Sequence, residues 1–276
     1  NLIKSKSFLH SYINFDGYKE SINFTTSLEV YENLQKDKSS RHEFIYPNYA
    51  IEKKLNSKRG NNISLKSHGS QRTYDTNLYE GIVINDILLN GQSKITNKGY
   101  VTNYNFLVKN VNVDAKNSNK YKDKFEQSLS TLIQFNTSYP LKKESSDYIS
   151  NLTPKISLMY SPNKTKNLSS DIRRIDSSKI FSFNRIANDE TVEGGGSLTY
   201  GLSFNKVNKN TNNDFINFNL SSLLRLKENL DLSKSSTIGQ KTSDIFGDVD
   251  VNLNKNLNFK YNFAIDNNLD KTNYDS

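Results

Sequence analysis

Six cations crowd one stretch of the chain. Between Asn163 and Asp189 stand Lys164, Lys166, Arg173, Arg174, Lys179 and Arg185, against Asp171, Asp176 and Asp189. Guanidinium and ammonium groups at such density suit the oxygens of phosphate, and Arg offers them a two-pronged fork. Lys164, Lys166, Arg173, Arg174 and Arg185 are therefore candidate contacts to the phosphates of a lipid headgroup or a phosphorylated sugar. The plainer reading is a solvated loop with ordinary charges. Covalent chemistry has less support. His10, His42 and His68 are the only histidines, and they lie far apart in sequence with no serine or carboxylate spacing of a triad or a metal site. The chain has no cysteine, which removes disulfides, Cys-ligated zinc and thiol catalysis. Gly194, Gly195 and Gly196 lack the strand–GxGxxG–helix setting of a phosphate loop. No catalytic residue, metal or cofactor is expected, and the chain does not read as an enzyme.

The elements that must carry these residues are strands. Apolar and polar residues alternate strictly from Phe125 through Leu129, Thr131, Ile133, Phe135, Thr137 and Tyr139 to Leu141. The same period of two runs through Tyr148, Leu152, Pro154, Ile156, Leu158 and Tyr160, through Leu198, Tyr200, Leu202 and Phe204, through Ile216, Phe218, Leu220, Leu224 and Leu226, and through Leu257, Phe259, Tyr261, Phe263 and Ile265. Weaker segments of the same kind cover 5–15, 20–34, 41–55, 62–74, 76–90, 99–114 and 243–254. Alternation on this scale predicts an all-β chain, an antiparallel up-and-down meander of about twelve strands. In the segment from Val192 to Phe204 the alternation is expected to pass straight through the three glycines, so that Val192 and Leu198 share a face and the triple glycine is a bent piece of strand.

Composition decides what kind of sheet this is. Only 34% of the 276 residues are hydrophobic and mean hydropathy is -0.73, yet 11% are aromatic and only four are proline. Disordered chains show the opposite balance of aromatics and proline. A sheet with one lipid face and one polar face explains the low hydropathy, because lipid demands apolar side chains on one side only. Tyr148 and Tyr160 bracket the apolar face of one strand. Twelve residues at about 3.3 Å span roughly 40 Å, and a tilt near 40° brings this to roughly 30 Å, close to the apolar band between aromatic girdles. Links also alternate: short at KKESSD, long from Pro162 to about Asp189, short at NKNTNN, long over 227–243, and a tight turn at Asn254–Asn256. Short turns on one side and long loops on the other are the signature of an outer-membrane barrel. On this parity Gln134, Asn136, Lys155, Ser157, Glu193, Thr199 and Ser203 face the polar interior and form a candidate hydrated path. The net charge of +8 is spread along the chain among 29 acidic residues, so nucleic acid is not an expected partner.

The runs YISNLTPKISLMYSP (148–162) and IFSFNRIANDETVEGGGSLTYGLSF (180–204) resemble the barrel domain of the LPS-assembly family LptD, also called organic solvent tolerance protein. Leu152, Pro154, Asn184, Arg185, Ile186, Val192, Gly195 and Gly196 carry that resemblance. SYPLKK (138–143), HEFIYPNY (42–49) and SSTIGQKTSDIFGDV (235–249) extend it over most of the chain. The resemblance implies a large transmembrane outer-membrane barrel that receives lipopolysaccharide and delivers it to the outer leaflet of a Gram-negative cell. It implies an LptE-like plug lipoprotein, an LptA-like periplasmic bridge acting through an N-terminal jelly-roll domain, and outer-membrane lipid as partners. The chain, beginning at Asn1 and ending at Ser276, is then expected to be an internal portion of that barrel, with the jelly roll, the remaining strands and the lateral gate elsewhere. The alternatives are a self-contained pore such as an autotransporter translocator or a porin, a secreted β-sandwich, and an outer-membrane enzyme.

Overall fold

The computed structural model describes residues 7–276 except 38–39, 58–59, 75–76, 212–213 and 255–256. The turn expected at Asn254–Asn256 includes Lys255 and Asn256, which lie outside the described residues. The described residues form one up-and-down antiparallel sheet of fifteen strands. They are β1 (Phe8–Lys19), β2 (Ile22–Asn33), β3 (His42–Asn56), β4 (Asn62–Tyr74), β5 (Tyr79–Asn90), β6 (Lys94–Ile95), β7 (Val101–Lys116), β8 (Glu126–Ser138), β9 (Leu141–Glu144), β10 (Tyr148–Ser161), β11 (Gly195–Asn208), β12 (Asp214–Arg225), β13 (Ile245–Asn254), β14 (Leu257–Ile265) and β15 (Thr272–Asp275). Each long strand pairs with its neighbours in chain order, and the short β6 and β9 pair beside β7 and β10. The twelve expected strands are all present. The three additional ones, β6, β9 and β15, are two to four residues long, too short for alternation to be read. β9 converts half of the KKESSD link into strand, with Leu141 opposite Leu152.

The chain divides into two compact units. The first comprises Asn1–Leu89 and Leu107–Ser130, the second Asn90–Phe106 and Thr131–Ser276. In the first, β1 is exposed along its whole length, and Ile84, Val111, Val113 and Ala115 form an apolar cluster backed by Ile82 and Tyr121. Asp86 and Lys109 pair at 2.8 Å across β5 and β7.

The second unit is polarised inside out. On β10, Ser157 is 1% exposed and Leu158 52%. Register carries this parity across the neighbours: Ser157 faces Asn136 of β8 and Thr199 of β11, while Leu158 faces Phe135 and Leu198. The apolar row continues through Leu202, Leu220 and Phe218, and across Val249 to Tyr261. In a soluble sheet the apolar row would be the buried one, because burying apolar area is the main driving force. Here serine and glutamine are buried and leucine faces out.

What covers the polar face is the chain's own loops. The links 162–194 and 226–244, which leave the same end of the sheet, fold over it. Ile175, Ile180 and Ile186 from the first and Leu232 and Ile238 from the second pack with Leu223, Phe246 and Ala264 of the sheet. Ile180 and Leu223 are fully buried, and each such side chain contributes about 1.5–3 kcal/mol. Leu223 and Phe246 stand on the parity of the polar row, opposite Thr199 and Ser221. The inner face is thus polar with one apolar seat, on which the loops sit.

Candidate functional site

The triple glycine lies at the root of the first loop, and it corrects the expectation of an unbroken strand. Strand β11 begins at Gly195, whose φ is +85°, in the left-handed region that glycine tolerates at no steric cost. That rotation shifts the phase, so Val192 is buried at 3% while Leu198 belongs to the outward row. Gly194 is fixed by contact: a Cβ there would stand 2.2 Å from the carbonyl oxygen of Asn163. The glycines let the chain turn in over the inner face, with Glu193 pointing into the interior.

Glu193 is the centre of a buried ionic cluster. Arg185 grips it with two parallel bonds, Nε to Oε2 at 2.6 Å and Nη2 to Oε1 at 2.5 Å. The remaining donors of Arg185 go to the Ile180 carbonyl at 3.1 Å, to Thr199 Oγ1 at 2.9 Å and to Ser197 Oγ at 2.7 Å. Arg225, the last residue of β12, also bonds Glu193 Oε1, and it donates to the carbonyls of Ile238 at 2.6 Å and Gly194 at 3.1 Å. Burial opposes ionisation of Glu193, but Arg185 and then Arg225 outweigh it and hold the carboxyl below its ordinary value of 4.5. The three residues tie both loops to the sheet. Asn229 adds bonds to Thr165 Oγ1 at 2.8 Å and the Gly194 carbonyl at 3.2 Å, and Leu168 N–H donates to the Asp231 carbonyl at 2.6 Å.

The seven expected path residues fall into two zones. Gln134, Ser157 and Thr199 are buried beneath the loops, and Glu193, on the root of the first loop itself, is buried against them. The Gln134 amide donates to Ser157 Oγ and the Phe181 carbonyl, both at 3.0 Å, and accepts from Asn105 at 3.0 Å. Asn136, Lys155 and Ser203 lie toward the short links and are only partly buried. Asn136 donates to Asn103 at 2.8 Å, and Ser203 bonds Asn219, which donates to Asp248 at 2.9 Å. This second zone is an open ladder of amides and hydroxyls, extended by Asn205 and Asn217.

Of the five expected phosphate contacts, four are exposed. Lys164 is exposed, Lys166 pairs with Glu190 at 2.5 Å, Arg173 clasps Asp171 at 2.5 Å, and Arg174 lies over the Tyr274 ring at 5.4 Å. Arg185 departs from the expectation. It is 3% exposed with its donors engaged, so no phosphate reaches it. Its partner Glu193, eight residues on in the same loop, supplies the charge that a ligand was expected to bring. A small recess of about 120 Å³ beside it is floored by Leu168, Ile186 and Ile238.

In the first unit, Glu29 accepts from Ser27 at 2.5 Å, Tyr31 at 2.8 Å and Asn48 at 3.2 Å, with His10 Nε2 at 3.1 Å. Serine and histidine share one carboxylate here, a geometry that braces strands and does not pair a nucleophile with its base. Among the described residues no group of three or more His, Asp or Glu side chains is placed to hold a metal.

Inverted polarity, strands in chain order and long loops folded over a polar inner face describe a barrel wall. The family model LptD, LPS transport system D, matches residues 1–276, the whole chain. The chain belongs to the LptD family. No curated protein matches it. LptD-family membership makes it a member of a lipopolysaccharide transport and assembly family of the outer membrane, and assigns it to a transport family, not to a known enzyme family. The sheet's exposed rows, among them Leu158, Ile156, Tyr160 and Tyr200, are then the lipid-facing rows of a transmembrane β-barrel.

Proposed function

We propose that this chain is a run of wall strands in an LptD-type translocon that inserts lipopolysaccharide into the outer leaflet. The inside-out strands of the second unit carry the reading. Their apolar row suits contact with lipid, and their amide and hydroxyl ladder suits the sugar portion of the ligand. Asn136, Lys155 and Ser203 are the accessible part of that path. Gln134, Ser157, Glu193 and Thr199 join it when the loops lift. Lys164, Lys166, Arg173 and Arg174 offer phosphate contacts on the outer surface of the first loop. An LptE-like lipoprotein as plug and an LptA-like bridge feeding an N-terminal domain of the parent protein complete the assembly, in the outer membrane of a Gram-negative cell.

Depletion of the full-length protein tests this. New lipopolysaccharide, followed by pulse labelling and membrane fractionation, should stop reaching the cell surface while phospholipid synthesis continues. Undiminished surface delivery after depletion would refute the proposal.

A further inference from the structure

A β-bulge at the short-link end of β11 builds a cage for a cation. Lys206 has the outward parity of Leu202 and Phe204 on β11, and Tyr148 has the outward parity of Leu152 and Ile156 on β10. The register between β11 and β12 shifts at this point: Lys206 faces Ile216, Val207 faces Asp214, and Phe215 has no opposite residue. Strict alternation would send Phe215 to the polar face, away from Ile216. Instead its ring centre lies 5.5 Å from that of Tyr148 and 5.6 Å from Lys206 Nζ, which itself stands 4.3 Å from the Tyr148 ring. Bulges characteristically re-aim one side chain in this way. The result is an ammonium flanked by two rings on the face given over elsewhere to leucine and phenylalanine.

The ammonium has no acidic partner among the described residues. At the same end of the sheet Glu144 is taken by Lys142 at 2.5 Å and Lys209 at 3.5 Å, and Asp214 accepts from Asn205 and Asn217. Aromatic faces attract the cation but leave its N–H groups free to donate. Tyr148 stands at one end of the apolar row whose other end is Tyr160, so the cage sits at headgroup depth, where lysine and tyrosine reach polar lipid groups. A cation at that depth, on a lipid-facing surface and without a carboxylate, is matched by a phosphate.

We propose that Lys206, Tyr148 and Phe215 form a binding site for the phosphate of an anionic phospholipid in the leaflet on the short-link side. The site rests on the reading of the apolar row as lipid-facing. It holds this part of the wall at a set depth, through a headgroup and not through a protein partner.

The test uses the full-length protein in nanodiscs made of phosphatidylcholine alone or of equal parts phosphatidylcholine and phosphatidylglycerol, with retained lipid counted by native mass spectrometry. The wild type should keep phosphatidylglycerol in preference to phosphatidylcholine, Lys206→Met should lower that preference about fivefold, the expected effect of one lysine at an anionic surface, and Lys206→Arg should restore it. Tyr148→Ala should lower it in part. Equal retention by wild type and Lys206→Met, with both showing heat-modifiable folded barrels, overturns the site alone. Displacement of the lipid by millimolar inorganic phosphate overturns its assignment to a lipid. Failure of the wild type to insert as a heat-modifiable barrel overturns the site together with the lipid-facing reading beneath it.

Discussion

Replacing Glu193 by Gln should free the two long loops from the inner face without unfolding the sheet. The carboxylate is 3% exposed and receives three charge-assisted bonds, two from Arg185 and one from Arg225. Two unit charges about 4 Å apart interact by roughly 4 kcal/mol at an effective dielectric of about 20. Most of that attraction offsets the cost of taking three ions out of water. The uneven case is the single deletion. Glutamine leaves two guanidinium groups buried side by side with no anion, and breaking a buried pair in this way costs about 3–5 kcal/mol. At about 1.4 kcal/mol per decade the population of opened loops should rise by roughly two to three and a half decades. Amide hydrogen exchange of the full-length protein in nanodiscs reads this directly. The reporters are Gly194 N–H, bonded to Thr165 Oγ1 at 2.8 Å, and Lys166 N–H, bonded to Thr191 Oγ1 at 2.9 Å. Strand amides of β10 and β11 should keep their protection. Replacing all three residues together, Arg185→Met with Glu193→Leu and Arg225→Met, should recover most of the protection, since a packed apolar substitute for a buried ion cluster is often neutral or stabilising. Loss of less than about one decade in the single variant would refute the reasoning. It would mean that Ile180, Leu223 and their neighbours hold the loops and that the ion cluster is incidental.

Three further outcomes follow from the same geometry. Because the Glu193 carboxyl is held below 4.5, its contribution is fully present above about that pH and is lost only as pH falls through the lower folded value. Loop protection measured by exchange, corrected for intrinsic rates, should stay level from neutral pH to about 5 and drop below about 4.5; a fall already complete at pH 5 would contradict the assignment. Gly194→Ala should destabilise the loop root by about 1–3 kcal/mol, as overpacking does, because its Cβ would meet Asn163 O at 2.2 Å. Gly17→Ala on β1, where the nearest atom is 3.8 Å away, should change stability by no more than about 0.5 kcal/mol; urea unfolding in lipid vesicles compares the two. In the same assay Ile156→Arg, near the middle of the outward row, should cost about 2–4 kcal/mol, and Thr153→Lys, on the inner row opposite Ser203, should cost far less. Equal costs would show that the two rows do not differ in their surroundings.

The strands were legible because alternation is local. Leu158, Ile156 and Tyr160 announce an outward row, and Ser157, Lys155 and Thr153 an inward one, with no knowledge of what either row touches. The loops were legible as charge and length only. Nothing in a period of two says that Ile175, Ile180 and Ile186 converge on Leu223, since these contacts depend on how an irregular segment folds back. A signal was present nonetheless. Leu223 and Phe246 break the polar parity of β12 and β13, and an apolar residue on a polar row needs a cover. Arg185 and Glu193 show the same limit. Taken singly, one suits a phosphate and the other a polar path; what pairs them is the way the eight-residue stretch from one to the other folds back on itself, and no local period encodes that. The cage at Lys206 was hidden for a related reason: Phe215 is the extra residue of the bulge, between Asp214 and Ile216, and alternation alone assigns its ring to the wrong face.

The central claim is that the inner amide ladder of these strands touches lipopolysaccharide in transit while the outward row at the same height touches membrane lipid. A photo-crosslinking amino acid placed at Ser203 and, in a separate strain, at the adjacent Phe204 of the full-length protein tests it in living cells. Both positions lie toward the short links and differ only in the face they occupy. The account predicts lipopolysaccharide adducts at Ser203 that vanish when lipopolysaccharide supply is cut off, and none at Phe204. Adducts at Phe204 with none at Ser203 would contradict it.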